Sequence, residues 1–168
     1  MKNLKALAAA CLLMAILAPT SAVADAQSRN QTRRHCSDVV GEVQATLAGF
    51  NQDLDPPNLD ELVKYYHPDV VHYVSSLGVW FVGRDDLRDN YFAPFVATVS
   101  MASLDFSVLQ YHVVDCNTVL AYGAVPGRVV LLDGTTILQA PLPQTVTFVR
   151  NPDKHDHKRP FVVLSADE

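Results

Sequence analysis

The sequence predicts an α+β domain in which N-terminal helices pack on one face of a curved, mostly antiparallel sheet that encloses a cavity. Helical periodicity is confined to the first half of the chain, and long strand patterns fill the second half from Ser103 onward. Helices that cluster before a run of strands are typical of this class. Pro126, Pro141 and Pro143 lie inside the strand regions, where they indicate bulges or edges that let the sheet bend.

The first 24 residues have the pattern of a secretory signal peptide. Lys2 and Lys5 precede an uncharged run, residues 6–18, and Ala22-Val23-Ala24 provides small residues for a cleavage site. We therefore expect a secreted or periplasmic protein. The run is shorter than the roughly 20 apolar residues of a transmembrane helix, so we expect no membrane partner for the mature form.

Removal of this segment makes the chain more acidic. The segment carries two lysines and no acid, so the net charge moves from −5 to −7. An acidic chain without a run of Lys and Arg is a poor nucleic-acid binder, so we expect no nucleic-acid partner. Residues 25–34 are polar and without periodicity, which predicts a flexible leader, and residues 35–168 are about the size of one domain.

Two cysteines, Cys36 and Cys116, remain after the predicted cleavage. In an oxidising compartment such a pair can form a disulfide. The spacing is equally compatible with two buried thiols, so the sequence leaves both states open.

Two helices are predicted before residue 67. The first presents one apolar face, made of Val39, Val40, Val43, Leu47 and Phe50. The second follows Pro56-Pro57, with Asn58 as N-cap and Glu61 as its N3 partner. Its apolar face contains Leu59, Leu62, Val63 and Tyr66.

A hairpin and a third helix follow. Pro68 disfavours helical geometry at His67, so Val70–Val74 is predicted to run extended, to turn at Gly78 and to return along Val79–Val82. Beyond Gly83, Asp85 and Asp86 lie in the first turn of the third helix, where the helix dipole favours acids. The predicted buried stripe of this helix is Leu87, Tyr91 and Phe95.

The remaining chain is predicted to form four long strands. They are Leu104–Val114, Val119–Leu132, Thr136–Val149 and Phe161–Leu164, with turns at residues 115–117, at Asp133-Gly134 and across the charged tip 151–159.

Polar side chains interrupt two of the predicted apolar strand faces. Alternation places His72 with Val70 and Val74, and it places Gln110 and His112 with the apolar residues of the third predicted strand. A cavity histidine can act as a general base near neutral pH, and a second one can donate a hydrogen bond to an oxyanion. His72 and His112 are therefore the candidate catalytic residues, although each also fits a structural histidine in the core or at its rim.

The candidate ligand-binding residues are polar or aromatic side chains that could line the cavity. They are Tyr91, Trp80, Gln110, Tyr66 and Tyr122. Aromatic residues with a polar end suit a pocket, yet they also commonly fill cores. The segment His155-Asp156-His157 has metal-binding side chains, but neighbours on an extended loop point different ways, so we predict neither a metal nor a cofactor.

Several segments together resemble a known family. They are the first helix ending Phe50-Asn51, the segment His67-Pro68-Asp69-Val70-Val71, the junction Phe81-Val82-Gly83-Arg84 with Leu87 and Tyr91 following, and Asp133-Gly134 before Thr147-Phe148-Val149-Arg150. Across residues 39–163 the chain resembles the nuclear transport factor 2-like superfamily, which has the cystatin-like fold. Within it, the chain is most similar to the SnoaL-like polyketide cyclase and calmodulin-dependent kinase association-domain branches.

This resemblance implies a cone whose open end admits a small apolar or amphipathic molecule, and a homodimer formed through the outer face of the sheet. Members include isomerases, dehydratases, cyclases, epoxide hydrolases and proteins without known chemistry, so the resemblance implies a fold rather than a reaction. Ketosteroid isomerisation is excluded. The positions that match its tyrosine and its two acids are Thr46, Val74 and Val146, which lack that chemistry.

Two functions therefore remain open. One is a secreted or periplasmic module that binds a small molecule or associates as a homodimer. The other is a lyase, isomerase or hydrolase that uses His72 as general base, with His112, Gln110 or Tyr91 as the electrophilic partner.

Overall fold

A computed structural model describes Cys36 and residues 38–167, with the helices preceding most of the strands. The predicted signal peptide, residues 1–24, and the predicted leader, residues 25–34, lie outside the described residues, so both stay predictions. In the part of the chain that is described, no helix combines the length and apolar character needed to cross a membrane.

The predicted first helix is present, and this helix, α1, spans Val39–Gln52. Its buried face includes Val39, Val43 and Leu47, three of the five residues named from the periodicity. Near the end of α1 the Asn51 side chain is bonded to a strand that follows much later. Its Nδ2 donates to the Leu104 carbonyl at 2.7 Å, and the Leu104 N–H donates to its Oδ1 at 3.0 Å.

The second helix is shorter than its periodicity predicts. Helix α2 spans Leu59–Leu62 and continues as a 3-10 turn, Val63–Tyr65. The Asn58 side chain accepts a hydrogen bond from the Glu61 N–H, which confirms the predicted N-cap. Tyr66, however, is the first residue of a strand rather than the last of the helix, because it pairs with Val163 in the sheet.

The hairpin forms where the sequence predicts it. Strand β1 spans Tyr66–Val74 and pairs in antiparallel register with β2, Val79–Val82. Gly78 lies in the turn at φ 67°, a conformation that costs glycine little because it has no Cβ.

The third helix contains a π turn that the sequence pattern does not reveal. It consists of α3, Arg84–Leu87, a π turn, Arg88–Phe92, and α4, Ala93–Val96. A π turn adds one residue to the helical repeat. Phe92, five residues after Leu87, is therefore fully buried, whereas Tyr91 and Phe95 of the predicted stripe are only half-buried.

The strands of the described chain form one seven-stranded sheet in the order β2-β1-β7-β6-β5-β3, with β4 also paired to β5. The later strands are β3, Val99–Leu104; β4, Gln110–Asp115; β5, Thr118–Leu131; β6, Thr136–Arg150; and β7, Phe161–Asp167. Among the described pairs β1 and β7 are parallel and the others antiparallel. The predicted α+β class with a mostly antiparallel sheet is confirmed.

The prediction of one strand over Leu104–Val114 is wrong. It is two strands, β3 and β4, separated by a 3-10 turn at Phe106–Val108. Asp105 stabilises this turn by accepting a hydrogen bond from the Ser107 N–H at 3.0 Å. The predicted bulge at Pro126 is confirmed, since the register of β5 against β6 shifts between Val125 and Gly127.

The core lies between the helices and the inner face of the sheet. Its fully buried residues include Val43 on α1, Val70 on β1, Leu87 on α3, Val119 on β5 and Phe148 on β6. Cys36 and Cys116 are disulfide-bonded, which decides between the two states left open by the sequence.

Candidate functional site

A cavity of about 130 Å³ lies beneath α1, against the inner face of the sheet. Its walls are largely aromatic and aliphatic. The aromatic lining residues include Phe50, Tyr65, Tyr66, Tyr91, Phe92, Phe95, Phe106 and Phe148. The elements that supply them are α1, the 3-10 turn after α2, β1, the third helix, the turn after β3, and β6.

One end of the cavity carries a polar aromatic cluster, made of Tyr66, His72 and Tyr91. His72 is 2% exposed and lies in the middle of β1, facing inward with Val70 and Val74 as the alternation predicts. Its ring centroid lies 5.3 Å from that of Tyr91 and 5.9 Å from that of Tyr66. The cluster thus joins β1 to the π turn of the third helix.

Arg84 holds the start of β1 in place. Its Nε and Nη2 donate to the Tyr66 carbonyl at 2.8 and 2.5 Å. Burial lowers the pKa of the Arg84 guanidinium from its ordinary value. Because both donors are directed at the backbone, this cation orients Tyr66 rather than offering its charge to a ligand.

Two other polar lining residues are engaged in hydrogen bonds of their own. The Tyr65 hydroxyl donates to Asp53 Oδ2 at 2.7 Å, and burial together with this bond raises the pKa of Tyr65. The Thr46 hydroxyl donates to the Glu42 carbonyl at 3.1 Å. Both hydroxyls are therefore directed at acceptors within the protein.

The opposite wall is formed by β6. Gln139 and Gln144 line the cavity there, together with Val146 and Phe148. Asp167, at the end of β7, borders the cavity, but its register opposite Tyr73 places its side chain on the outer face. Among the described residues that line the cavity there is no lysine or arginine.

Gln110 and His112 do not lie in the cavity, contrary to the prediction. Both are exposed on β4, where Gln110 is opposite Tyr122 and His112 is opposite Leu120. The turn between β3 and β4 breaks the alternation on which the prediction depended. Side chains after the turn therefore point to the opposite face from the one that unbroken alternation predicts. His112 is on the other side of the sheet from His72.

Tyr122 and Trp80 also lie on the outer face. Tyr122 is 43% exposed, and Trp80, which is 60% exposed, packs against Tyr73 with ring centroids 4.5 Å apart. Trp80 precedes Phe81, whose register opposite His72 places it inside, so Trp80 must point outward. Of the seven residues predicted for the site, His72, Tyr66 and Tyr91 line the cavity; their functional roles stay predictions.

Sequence reasoning missed several lining residues. Phe92 depends on the π turn, for which the sequence carries no readable signal. Gln144 could have been predicted, because alternation along the predicted strand Thr136–Val149 places it with Val146 and Phe148. Gln139 reaches the same face only because of the bulge opposite Pro126.

A shallower groove of about 340 Å³ runs along the outside of α1. Leu47, Leu104 and Phe106 line both the groove and the cavity, so these three side chains form the wall between them. Among the residues that the structure describes, no cluster of three or more potential metal ligands occurs. Within the predicted tip motif, Asp156 is paired with Arg159 at 2.7 Å.

Comparison with solved structures identifies several similar folds. A nuclear transport factor 2-like superfamily protein from Salmonella enterica superposes with a TM-score of 0.61 at 15% identity, over 77% of this chain and 89% of that chain. A protein from Catenulispora acidiphila, in complex with S-DNPA, has a TM-score of 0.60 at 19% identity, with coverages of 78% and 92%. A protein from Xanthomonas campestris, assigned as a calcium/calmodulin-dependent protein kinase II association domain, has a TM-score of 0.59 at 17% identity, with coverages of 74% and 82%.

At these identities the similarity establishes the fold, which is the nuclear transport factor 2-like fold that the sequence resembles. A comparison with curated protein sequences finds no significant match. The SnoaL-like domain family matches residues 43–151, which contain most of α1, the polar cluster and most of the sheet. The chain therefore belongs to the SnoaL-like domain family.

Proposed function

We propose that this protein is a secreted or periplasmic homodimer that binds a small apolar or amphipathic molecule in the cavity beneath α1. The observation that carries the proposal is the cavity itself, which has aromatic walls and one polar end formed by His72, Tyr66 and Tyr91. Concave, mostly apolar sites with a few convergent polar groups are typical of small-molecule binding. The complex of the Catenulispora acidiphila protein with S-DNPA supports a ligand-binding role for this fold.

The binding test is native mass spectrometry of the protein purified from its own periplasm or medium. A retained small molecule is the expected result. Ala166→Leu fills the cavity opposite His72, so this variant should retain no ligand. Ala124→Leu adds the same volume at an exposed position that pairs with Pro143, and it should retain the ligand as the wild type does. Protein that carries no small molecule in any preparation contradicts the proposal.

The outer face of the sheet supports the homodimer. Its exposed apolar side chains include Val71, Trp80 and Val82, which are 37%, 60% and 65% exposed, and Tyr122 lies farther along the same face. Contiguous exposed apolar residues of this kind mark interaction surfaces. The same native spectra should give the mass of a dimer. Val82→Lys should shift the protein to monomer, whereas Leu132→Lys, at an exposed turn residue, should not.

Secretion is tested on the same material. The mature protein should have a mass that corresponds to cleavage after Ala24, as the small residues before it predict. Recovery of the protein in the cytoplasm with residues 1–24 still attached is the result that argues against secretion.

A second candidate is a lyase, isomerase or hydrolase in which His72 is the general base and Tyr91 the electrophilic partner. It is favoured by the proximity of the two rings within one largely apolar cavity. The version that uses His112 or Gln110 is not supported, since both lie on the outer face. Incubation of the retained ligand with wild type and His72→Phe decides: conversion by the wild type alone indicates an enzyme, and an unchanged ligand indicates a binding module.

A further inference from the structure

We infer that the cavity selects an uncharged single-ring molecule with one hydrogen-bonding group at the edge of the ring. This inference rests on the proposed function, that the cavity holds a ligand, and adds the size and charge class of that ligand. It depends on three properties of the described residues: the volume of the cavity, the absence of a cationic side chain from its lining, and the position of its polar end.

The volume restricts the ligand to one ring. The cavity measures about 130 Å³. An apolar cavity of about 150 Å³ accommodates benzene, whereas pockets for drug-sized ligands occupy about 300–1,000 Å³. A six-membered ring with a short substituent therefore fills the space, and a fused two-ring system exceeds it.

The lining disfavours an anion. Among the described residues that line it there is no lysine or arginine, and the guanidiniums of Arg84 and Arg159, which contact the lining residues Tyr66 and Tyr65, are directed elsewhere. Arg84 donates to the Tyr66 carbonyl, and Arg159 lies over the Tyr65 ring with its charge paired to Asp156 and Glu61. A carboxylate in the cavity would lose its hydration without a cation to compensate for it.

The lining disfavours a cation for a related reason. Asp167 is the acid that borders the cavity, and its register opposite Tyr73 directs its side chain to the outer face. An ammonium group inside would exchange its hydration for aromatic faces, which compensate only part of that loss. A neutral molecule carries no such cost.

The polar end determines how a neutral ring lies. Phe50 packs edge-on against Phe92 and Phe106, with ring centroids 6.5 and 6.3 Å apart, so the body of the cavity presents ring edges and faces. Such walls suit a flat ring. His72 and Tyr91 stand at the polar end, where a hydroxyl or carbonyl at the ring edge meets side chains that can donate and accept hydrogen bonds.

Calorimetric titration with four matched probes tests the inference. Benzyl alcohol is the neutral single ring, benzoate and benzylammonium are its charged counterparts, and naphthalen-2-ylmethanol is the neutral two-ring counterpart. We expect benzyl alcohol to bind at least about tenfold more tightly than each of the other three. Equal or tighter binding of a charged probe overturns the charge class, and equal or tighter binding of the naphthyl probe overturns the size class.

The polar end is tested with two tyrosine variants. Tyr91→Phe should weaken the binding of benzyl alcohol about fivefold, which is the effect of one lost hydrogen bond. It should leave the binding of toluene unchanged. Tyr122→Phe removes the same hydroxyl from the outer face and should change neither probe. An unchanged affinity of Tyr91→Phe for benzyl alcohol contradicts the assigned orientation. Thermal unfolding of both variants controls for loss of fold.

Failure of this inference differs from failure of the proposed function. Protein that carries a natural ligand in native spectra but binds benzyl alcohol no better than the other probes retains its binding function and refutes the ligand class. Protein that carries no ligand and binds none of the four probes refutes both.

Discussion

His72 and Tyr91 meet across the junction between the sheet and the third helix, with ring centroids 5.3 Å apart and ring planes inclined by 39°. His72 is directed inward by the alternation of β1, and Tyr91 lies in the π turn at Arg88–Phe92, half-buried beside the buried Phe92. π turns occur frequently at functional sites, since the extra residue redirects side chains. One member of the polar cluster thus lies in an irregular turn of helix, and the other two lie on β1.

Asn51→Ala should destabilise the protein by about 1–3 kcal/mol, because it removes two hydrogen bonds and leaves the Leu104 backbone groups unpaired. Chemical denaturation at neutral pH measures the change. Gln52→Ala, one residue along at an exposed position of α1, serves as the control and should leave the unfolding midpoint nearly unchanged. Equal unfolding midpoints for the two variants would show that the hydrogen bonds between Asn51 and Leu104 do not contribute to stability.

Gly49→Ala should also be destabilising, by about 1–3 kcal/mol, because overpacking displaces a well-packed neighbour. A Cβ at Gly49 would lie 2.8 Å from the Tyr65 hydroxyl, which is bonded to Asp53. Thermal unfolding measures the loss.

The matched control is Gly41→Ala in the same helix. There the added Cβ meets only the end of the Asp38 side chain, which can move aside. Helix propensity then dominates and should stabilise the protein by up to about 1 kcal/mol. Opposite signs for the two substitutions are the diagnostic result, and a loss of equal size in both contradicts the role of Tyr65.

Arg84→Met should cost about 1–3 kcal/mol, because the buried Tyr66 carbonyl loses both of its guanidinium donors. It should also weaken ligand retention, since Tyr66 belongs to the polar cluster. Arg88→Met is the control. Arg88 forms exposed ion pairs with Asp60 and Asp89, so its loss should have little effect on the unfolding temperature. A larger loss for Arg88→Met than for Arg84→Met runs against this expectation.

Stability should fall as the solution becomes acidic. A hydrogen bond from Lys64, with further contacts from Arg159, lowers the pKa of Glu61 from its ordinary value of 4.5. The folded pKa lies below the unfolded one, so this contribution is complete above pH 4.5 and is lost as the pH falls through the folded pKa. Glu61→Gln should therefore have a lower free energy of unfolding than the wild type at pH 7, and the two values should approach each other in acid.

Unfolding free energies measured at several pH values between 7 and 3 test this expectation. Lys64→Met removes the first cause of the lowered pKa, so it should reduce the acid-dependent loss in part. A gap between the wild type and Glu61→Gln that stays constant over this range is the outcome that rules out the coupling.

Local patterns were sufficient for much of the fold. The first helix, the hairpin at Gly78 and the cap at Asn58 appear as predicted, because each depends on residues close together in the chain. The inward direction of His72 followed from alternation along the part of β1 that pairs regularly with β2. Periodicity carries this information without reference to the rest of the molecule.

Predictions that crossed an irregularity failed. The predicted site grouped Gln110 and His112 with residues before the turn at Phe106–Val108, and the turn reversed their face. Tyr66 was assigned to a helix on its spacing, yet pairing with Val163 drew it into the sheet. A strand has a period of two, so one misjudged residue exchanges the inner and outer faces.

The sequence by itself determined the α+β class, the family resemblance and His72 as the inward-facing polar residue of β1, since these depend on short-range patterns. Only the tertiary structure decided which residues share the cavity with His72 and which lie on the outer face. Phe92 reached the cavity through a π turn, and Gln139 reached it through a bulge. Such irregularities arise where packing between distant segments outweighs local preference, and no local pattern records that balance.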